Sequence, residues 1–213
     1  DGRQAERYQR LRCYGCFARA PEALSRGAMT QKRTVAKHDN RQRLRARPRR
    51  GAFHVVLVEP EIPPNTGNIA RLCAATCCPL HLVGRLGFRI DEHAVRRAGL
   101  DYWHLVDLFR HRDLREAEAA VSAAAPTGGT PRSWLFSASA KTSYLDADFR
   151  SGDALVFGKE SVGLPDALLQ ARSGCVLAIP TLGMVRSLNL ANAVAIALYE
   201  ALRRTGSLRV AAD

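Results

Sequence analysis

Short apolar runs alternate with longer amphipathic segments from residue 53 onward. Phe53 to Val58, Leu80 to Val83, Ser133 to Ser137, Ala154 to Phe157 and Cys175 to Ile179 read as strands. Their connections are long enough for crossovers, which predicts an α/β domain with a mainly parallel sheet flanked by helices. After the first run, Ile69, Leu72, Cys73 and Thr76 recur at helical spacing, and Asn65 or Thr66 is placed to cap that helix. Asp91 is placed to cap a short helix that Gly99 ends, and Arg112 to Ala124 reads as an alanine-rich surface helix before the loop from Pro126 to Pro131. The last helix, Leu190 to Arg204, carries Leu190, Val194, Ala197, Leu198 and Ala201 on a face suited to close packing on the sheet or against a second subunit. No run of about eighteen apolar residues occurs, so no segment is read as a membrane span. The chain shows no internal repeat.

Charge divides the chain. The formal net charge is +12 over 213 residues, yet residues 1 to 52 hold fifteen Lys or Arg against four Asp or Glu, a net of +11. Residues 53 to 213 hold seventeen against sixteen, a net of +1. The expected organisation is therefore a basic, disordered extension (1–52) and one folded domain (53–213). The run Arg41 to Arg50 suits neutralising phosphates without reading sequence. A targeting segment, or residues upstream of a natural start at Met29, accounts for the extension equally well.

The six cysteines do not form a framework. Cys13-Tyr14-Gly15-Cys16 has no second ligand pair at zinc spacing, and Cys73, Cys77, Cys78 and Cys175 read as buried thiols of a reducing cytoplasm. His54, His81, His93, His104 and His111 show no partner at metal or triad spacing, so no metal and no histidine chemistry are expected.

Chemistry gathers where three strands end. Glu59-Pro60-Glu61-Ile62-Pro63-Pro64-Asn65-Thr66-Gly67-Asn68-Ile69-Ala70-Arg71 stops the first strand with prolines and runs into a helix. Gly158-Lys159-Glu160-Ser161-Val162-Gly163 and Pro180-Thr181-Leu182-Gly183-Met184-Val185-Arg186-Ser187-Leu188-Asn189 leave two later strands. Ligands of open α/β sheets bind beyond the carboxyl ends of strands, so these loops should converge. Gly158-Lys159 lacks the earlier glycine and the following Ser or Thr of a phosphate loop, and no G-x-G-x-x-G is present.

Together with Arg96-Arg97-Ala98-Gly99-Leu100-Asp101-Tyr102 and Arg186-Ser187-Leu188-Asn189-Leu190-Ala191-Asn192-Ala193-Val194, these motifs resemble the SPOUT superfamily of RNA methyltransferases. The resemblance is closest to the TrmL group, which methylates the ribose 2′-hydroxyl of the tRNA wobble nucleotide, and covers nearly all of residues 53 to 204. It implies a C-terminal trefoil knot, a tRNA substrate, a homodimer through the knot region and final helix, and S-adenosylmethionine as cofactor. Ala138, Gly158, Ile179 and Ser187 would contact the cofactor, with Leu182 and Leu188 beside its adenine. Arg71, Asn65, Glu160, Ser187 and Asn189 would form the catalytic set.

Methyl transfer to a hydroxyl depends on holding a poor nucleophile in line, worth roughly 7 to 11 kcal/mol at most. Guanidinium groups keep their proton, which favours Arg71 as an electrostatic clamp on the developing alkoxide over a general base. Glu160 would orient Arg71 or the cofactor's amino group, and Ser187 and Asn189 would fix turns and ribose contacts. Taken singly, Asn65, Ser187 and Asn189 are also good helix caps, Arg71 and Glu160 could be a surface ion pair, Arg96 and Arg97 a solvated face, and Tyr102 and Trp103 core aromatics. Two further readings stay open: a 2′-O-methyltransferase of ribosomal RNA or another tRNA position, and a knotted RNA-binding or assembly factor without catalysis.

Overall fold

The computed structural model describes residues 51–88, 105–125 and 130–209. The basic extension with Cys13 and Cys16, the helix expected after Asp91, and Arg96, Arg97, Tyr102, Trp103, His93 and His104 lie outside the described residues. In chain order the elements are β1 (His54–Val58), α1 (Pro63–Thr76), β2 (Leu80–Val83), β3 (Leu108–His111), α2 (Leu114–Ala124), β4 (Ser133–Phe136), β5 (Thr142–Ser143), β6 (Ala154–Phe157), α3 (Asp166–Ala171), β7 (Val176–Ala178) and α4 (Leu190–Arg204). Among the described residues seven strands form one parallel sheet in the order β3-β2-β1-β6-β4-β7-β5.

Helices cover both faces, which is why the strands read as near-continuous apolar runs. On one face Val55, Leu57, Leu80 and Leu82 meet Ile69 and Cys73 of α1 and Val194, Ala197, Leu198 and Ala201 of α4. On the other, Val56, Val83, Leu135, Ala154 and Val156 meet Ala117 and Val121 of α2. Each fully buried Leu, Ile or Val contributes about 1.5 to 3 kcal/mol. The small residues on α4 let it lie close to the sheet and against α1.

Two sequence expectations are corrected. The first helix begins at Pro63, with Pro at its first two positions and Ile62 as the N-cap, so neither Asn65 nor Thr66 caps it. Proline is at home there because the first turn's N–H groups have no helical partner. Of the four cysteines read as buried, Cys73 and Cys78 are, whereas Cys175 is half-buried and Cys77 is exposed. Cys77 ends α1 in a left-handed conformation, φ 54°, which turns its side chain out while its N–H still reaches the Cys73 carbonyl.

Three of the histidines to which no chemistry is assigned, His54, His81 and His111, form a buried ladder across three adjacent strands. His54 Nδ1 lies 2.9 Å from His81 Nε2, and His81 Nδ1 lies 2.9 Å from His111 Nε2. Burial lowers the His54 pKa to about 4. His81, in the middle, falls to about 2, through burial and then the charges of its two neighbours.

The order of strands contains one exception to simple winding. β4 and β5 are joined by residues 137–141 alone, yet β7, which comes later in the chain, lies between them in the sheet. Phe136 pairs with Leu177 on one side and Thr142 pairs with the same Leu177 on the other.

Candidate active site

The loops that follow β1, β4, β6 and β7 open at the carboxyl end of four neighbouring strands. The loop after β6 is folded on itself: Lys159 N–H donates to the Gly163 carbonyl at 3.2 Å and Gly163 N–H donates to the Lys159 carbonyl at 2.9 Å. A Cβ on Gly158 would lie 2.1 Å from the Gly163 carbonyl carbon, so only glycine allows this closure.

That closed loop presents Glu160 to the start of α1. Glu61 N–H donates to Glu160 Oε2 at 2.8 Å, and Ile62 N–H and Asn65 Nδ2 donate to Oε1 at 3.2 and 3.0 Å. The carboxylate thus holds the two main-chain amides that lead into α1, near the positive end of its dipole. Pro63 and Pro64 have no N–H to offer, and the Asn65 N–H donates to the Ile62 carbonyl at 3.1 Å. Asn65 Oδ1 in turn accepts from Asn189 Nδ2 at 3.0 Å, and Asn189 Oδ1 accepts from Ala191 N–H and Asn192 N–H at the start of α4. Because Glu160 is only an acceptor and the helix amides only donors, both amide groups have one possible orientation.

The loops after β1 and β6 are joined twice more. β1 and β6 pair Leu57 with Phe157 in parallel register, and the same offset continues beyond the backbone ladder. Lys159 Nζ meets Glu59 Oε2 at 2.7 Å, and Ser161 N–H donates to Glu61 Oε2 at 3.1 Å. Glu59 adopts a left-handed backbone, φ 49°, which a non-glycine residue tolerates only when held there. Glu59 N–H donates to the Val83 carbonyl at 2.8 Å. A Cβ on Gly84 would come within 2.7 Å of Glu59 Cγ.

The loop after β7 differs. Leu182 and Met184 are wholly exposed, as are Val185, Arg186 and Ser187 in large part, while Ile179 and Leu188 are half-buried. Across the opening, Ala138 is exposed and Gly158 buried. The residues of the loop after β7 are mainly apolar, with Arg186 its one charged side chain. Among the described residues no cluster of His, Cys, Asp and Glu could hold a metal ion.

Of the residues expected in the site, Asn65, Glu160 and Asn189 are brought into one hydrogen-bonded set. Ser187 lies two residues before Asn189 in the exposed loop. Arg71 is exposed on α1, about 9 Å along the axis from Asn65 and on a different face. Glu160 takes its described hydrogen bonds from residues 61, 62 and 65, with Arg71 not among them. Sequence reasoning missed Glu61 and Lys159; the constant offset of 100 between the two motifs was the available signal, once the strands were known to pair.

The family model described as the SpoU rRNA Methylase family matches residues 52–199. A protein of Aeromonas hydrophila named tRNA (cytidine(34)-2'-O)-methyltransferase is 45% identical over 153 residues, covering 71% of this chain and 94% of its own length. A solved structure described as "Structural insights into the 2-OH methylation of C/U34 on tRNA" is 47% identical, covers 71% of this chain and 95% of its own, and superposes with a TM-score of 0.64. The SpoU methyltransferase AviRb of Streptomyces viridochromogenes, solved with AdoMet, is 28% identical with a TM-score of 0.62, over 74% of this chain and 62% of its own.

Proposed function

Because the chain belongs to the SpoU rRNA methylase family, we propose that it is an S-adenosylmethionine-dependent methyltransferase of the ribose 2′-hydroxyl at the tRNA wobble nucleotide, cytidine or uridine. The observation that carries this reading is the joining of Asn65, Glu160 and Asn189 at the carboxyl end of the sheet. It is supported by the names of relatives that match this chain along nearly their whole length.

Ala138, Gly158, Ile179, Leu182, Ser187 and Leu188 would hold the cofactor. When bound, S-adenosylmethionine supplies an electrophilic methyl group. The protein's own part is to hold the ribose hydroxyl in line and to stabilise charge as its proton leaves. Arg71 does the latter as a fixed cation beside the oxygen. Its exposed place on α1, away from Asn65, suits action across a homodimer, in which Arg71 of one subunit works beside the cofactor held by the other. Exposed Ile196 and Tyr199 on α4, with Leu182, Met184 and Val185, offer the apolar surface such a dimer would cover. The placement of β7 between β4 and β5 supports a trefoil knot. The basic extension, outside the matched residues 52–199, adds RNA-backbone affinity to a domain of near-zero net charge. The enzyme works in the cytoplasm, on tRNA.

The test is transfer of labelled methyl from S-adenosylmethionine to bulk tRNA, and separately to ribosomal RNA, by the intact protein and by Arg71→Ala, followed by nuclease mapping, with cofactor binding measured by calorimetry. Label at the wobble ribose that the substitution abolishes supports the proposal. Label appearing only on ribosomal RNA transfers the reading to that substrate, and absence of both label and cofactor binding leaves a non-catalytic RNA-binding protein.

A further inference from the structure

We infer that Glu61 is a positioning residue of the reaction: its carboxylate pins the Ser161 amide, and so keeps Glu160 at the start of α1, where Glu160 holds Asn65 against Asn189. The inference rests on the methyltransferase reading for its kinetic consequence, though not for the geometry.

Glu61 and the Glu160–Ser161 pair exchange hydrogen bonds in both directions. Glu61 gives its N–H to Glu160 at 2.8 Å and receives the Ser161 N–H at 3.1 Å. The Ser161 hydroxyl, then the Ser161 amide, hold the Glu61 carboxyl below its usual range, so it is a full anion at neutral pH. The Glu59–Lys159 ion pair at 2.7 Å braces the same two loops two residues earlier, in the register set by β1 and β6. Glu160 therefore stands between two cross-links.

The placement of Glu61 argues against a merely structural role. Glu61 is half-buried, and its carboxylate reaches over the surface to a loop whose closure Lys159 and Gly163 already secure through their main chains. What its carboxylate adds is the position of residues 160 and 161 relative to α1. The Glu160 carboxylate accepts three hydrogen bonds, and all three donors must meet it at once. A shift of about 1 Å at such a site is enough to lower turnover about a hundred-fold.

The experiment compares Glu61→Ala, Glu61→Gln and Glu61→Asp in the full chain by methyl-transfer kinetics, thermal unfolding and amide hydrogen exchange at Ile62 and Ser161. Glu61→Ala should lower kcat about ten- to a hundred-fold, leave the KM for tRNA within about two-fold, and speed exchange at both amides. Glu61→Gln keeps a carbonyl oxygen for Ser161 and should recover most of kcat and the protection. Glu61→Asp keeps the charge but withdraws it, and should behave like alanine; it also serves if the alanine variant fails to fold. Wild-type kcat or unchanged exchange in Glu61→Ala, or equal damage from Gln and Ala, overturns the inference. If the unaltered protein methylates no RNA, the functional reading fails, and the exchange data still decide whether Glu61 positions Glu160.

Discussion

Asn65 and Asn189 are 124 residues apart in the chain and 3.0 Å apart at their side-chain amides. The bond joins the first helix to the N-cap of the last. Since Asn65 also donates to Glu160, removing its amide should disturb all three elements. Asn65→Ala is expected to lose about 1 to 2 kcal/mol of stability and most methyl transfer. Asn65→Asp should be worse at neutral pH, because it sets a second carboxylate against Glu160 Oε1. Urea unfolding of the two variants, ranked against the unaltered protein, checks the order.

Glycines 158 and 163 face each other and should respond differently. An added Cβ at Gly158 meets the Gly163 carbonyl carbon at 2.1 Å, and no backbone can absorb that without opening the loop. Gly158→Ala should abolish cofactor binding in a calorimetric titration. At Gly163 a Cβ meets nothing within 4 Å, and the only penalty is its φ of 76°. Gly163→Ala should therefore cost about 1 to 2 kcal/mol and leave binding measurable.

The histidine ladder should make stability fall in mild acid. His54 and His81 are held neutral, with pKa values of about 4 and about 2 against 6.5 in the unfolded chain. Between those values the unfolded chain binds more protons than the folded one, so stability is full above about pH 6.5 and declines as pH drops toward the folded values. Down to pH 4, His54 alone accounts for about 3 kcal/mol of that loss. Unfolding free energies measured from pH 8 to pH 5 should show the decline, and His54→Asn should flatten it. A pH-independent stability in that interval contradicts this account.

Removal of residues 1 to 50 takes away all fifteen basic residues of the extension. The truncated protein should bind tRNA more weakly and with a shallower dependence on salt, by about 0.7 to 0.9 in the logarithmic slope for each phosphate that is no longer neutralised. Its kcat at saturating tRNA should be that of the full chain. Filter binding across a range of potassium chloride concentrations measures both affinity and slope.

Much of this molecule is legible in its sequence. Leu190–Arg204 and its Asn189 cap are visible because the apolar period, the cap residue and the terminal arginines agree. β1, β2, β4, β6 and β7 emerge, to within a residue or two, from apolar runs that burial on both faces makes continuous. By contrast β3 (Leu108–His111) and β5 (Thr142–Ser143), at the two edges of the sheet, carry no such run and are not expected from the sequence. Asn65 reads as a cap only if cap propensity is weighed above the two prolines that start the helix earlier. The histidine ladder stays hidden for a different reason. His54, His81 and His111 lie on three separate strands, and their contact depends on strand order and register, which no local pattern encodes. The same holds for the Glu61–Ser161 tie.

The slot that β7 occupies between β4 and β5 makes one edge of the sheet depend on a strand from much later in the chain. Among the described residues β5 pairs with β7 alone, so the bridge of residues 137–141 is held at that edge only by Val176–Ala178. The two segments expected to face the cofactor, the bridge itself and the loop that leaves β7, therefore share a single anchor, and whatever dislodges that strand unseats both together.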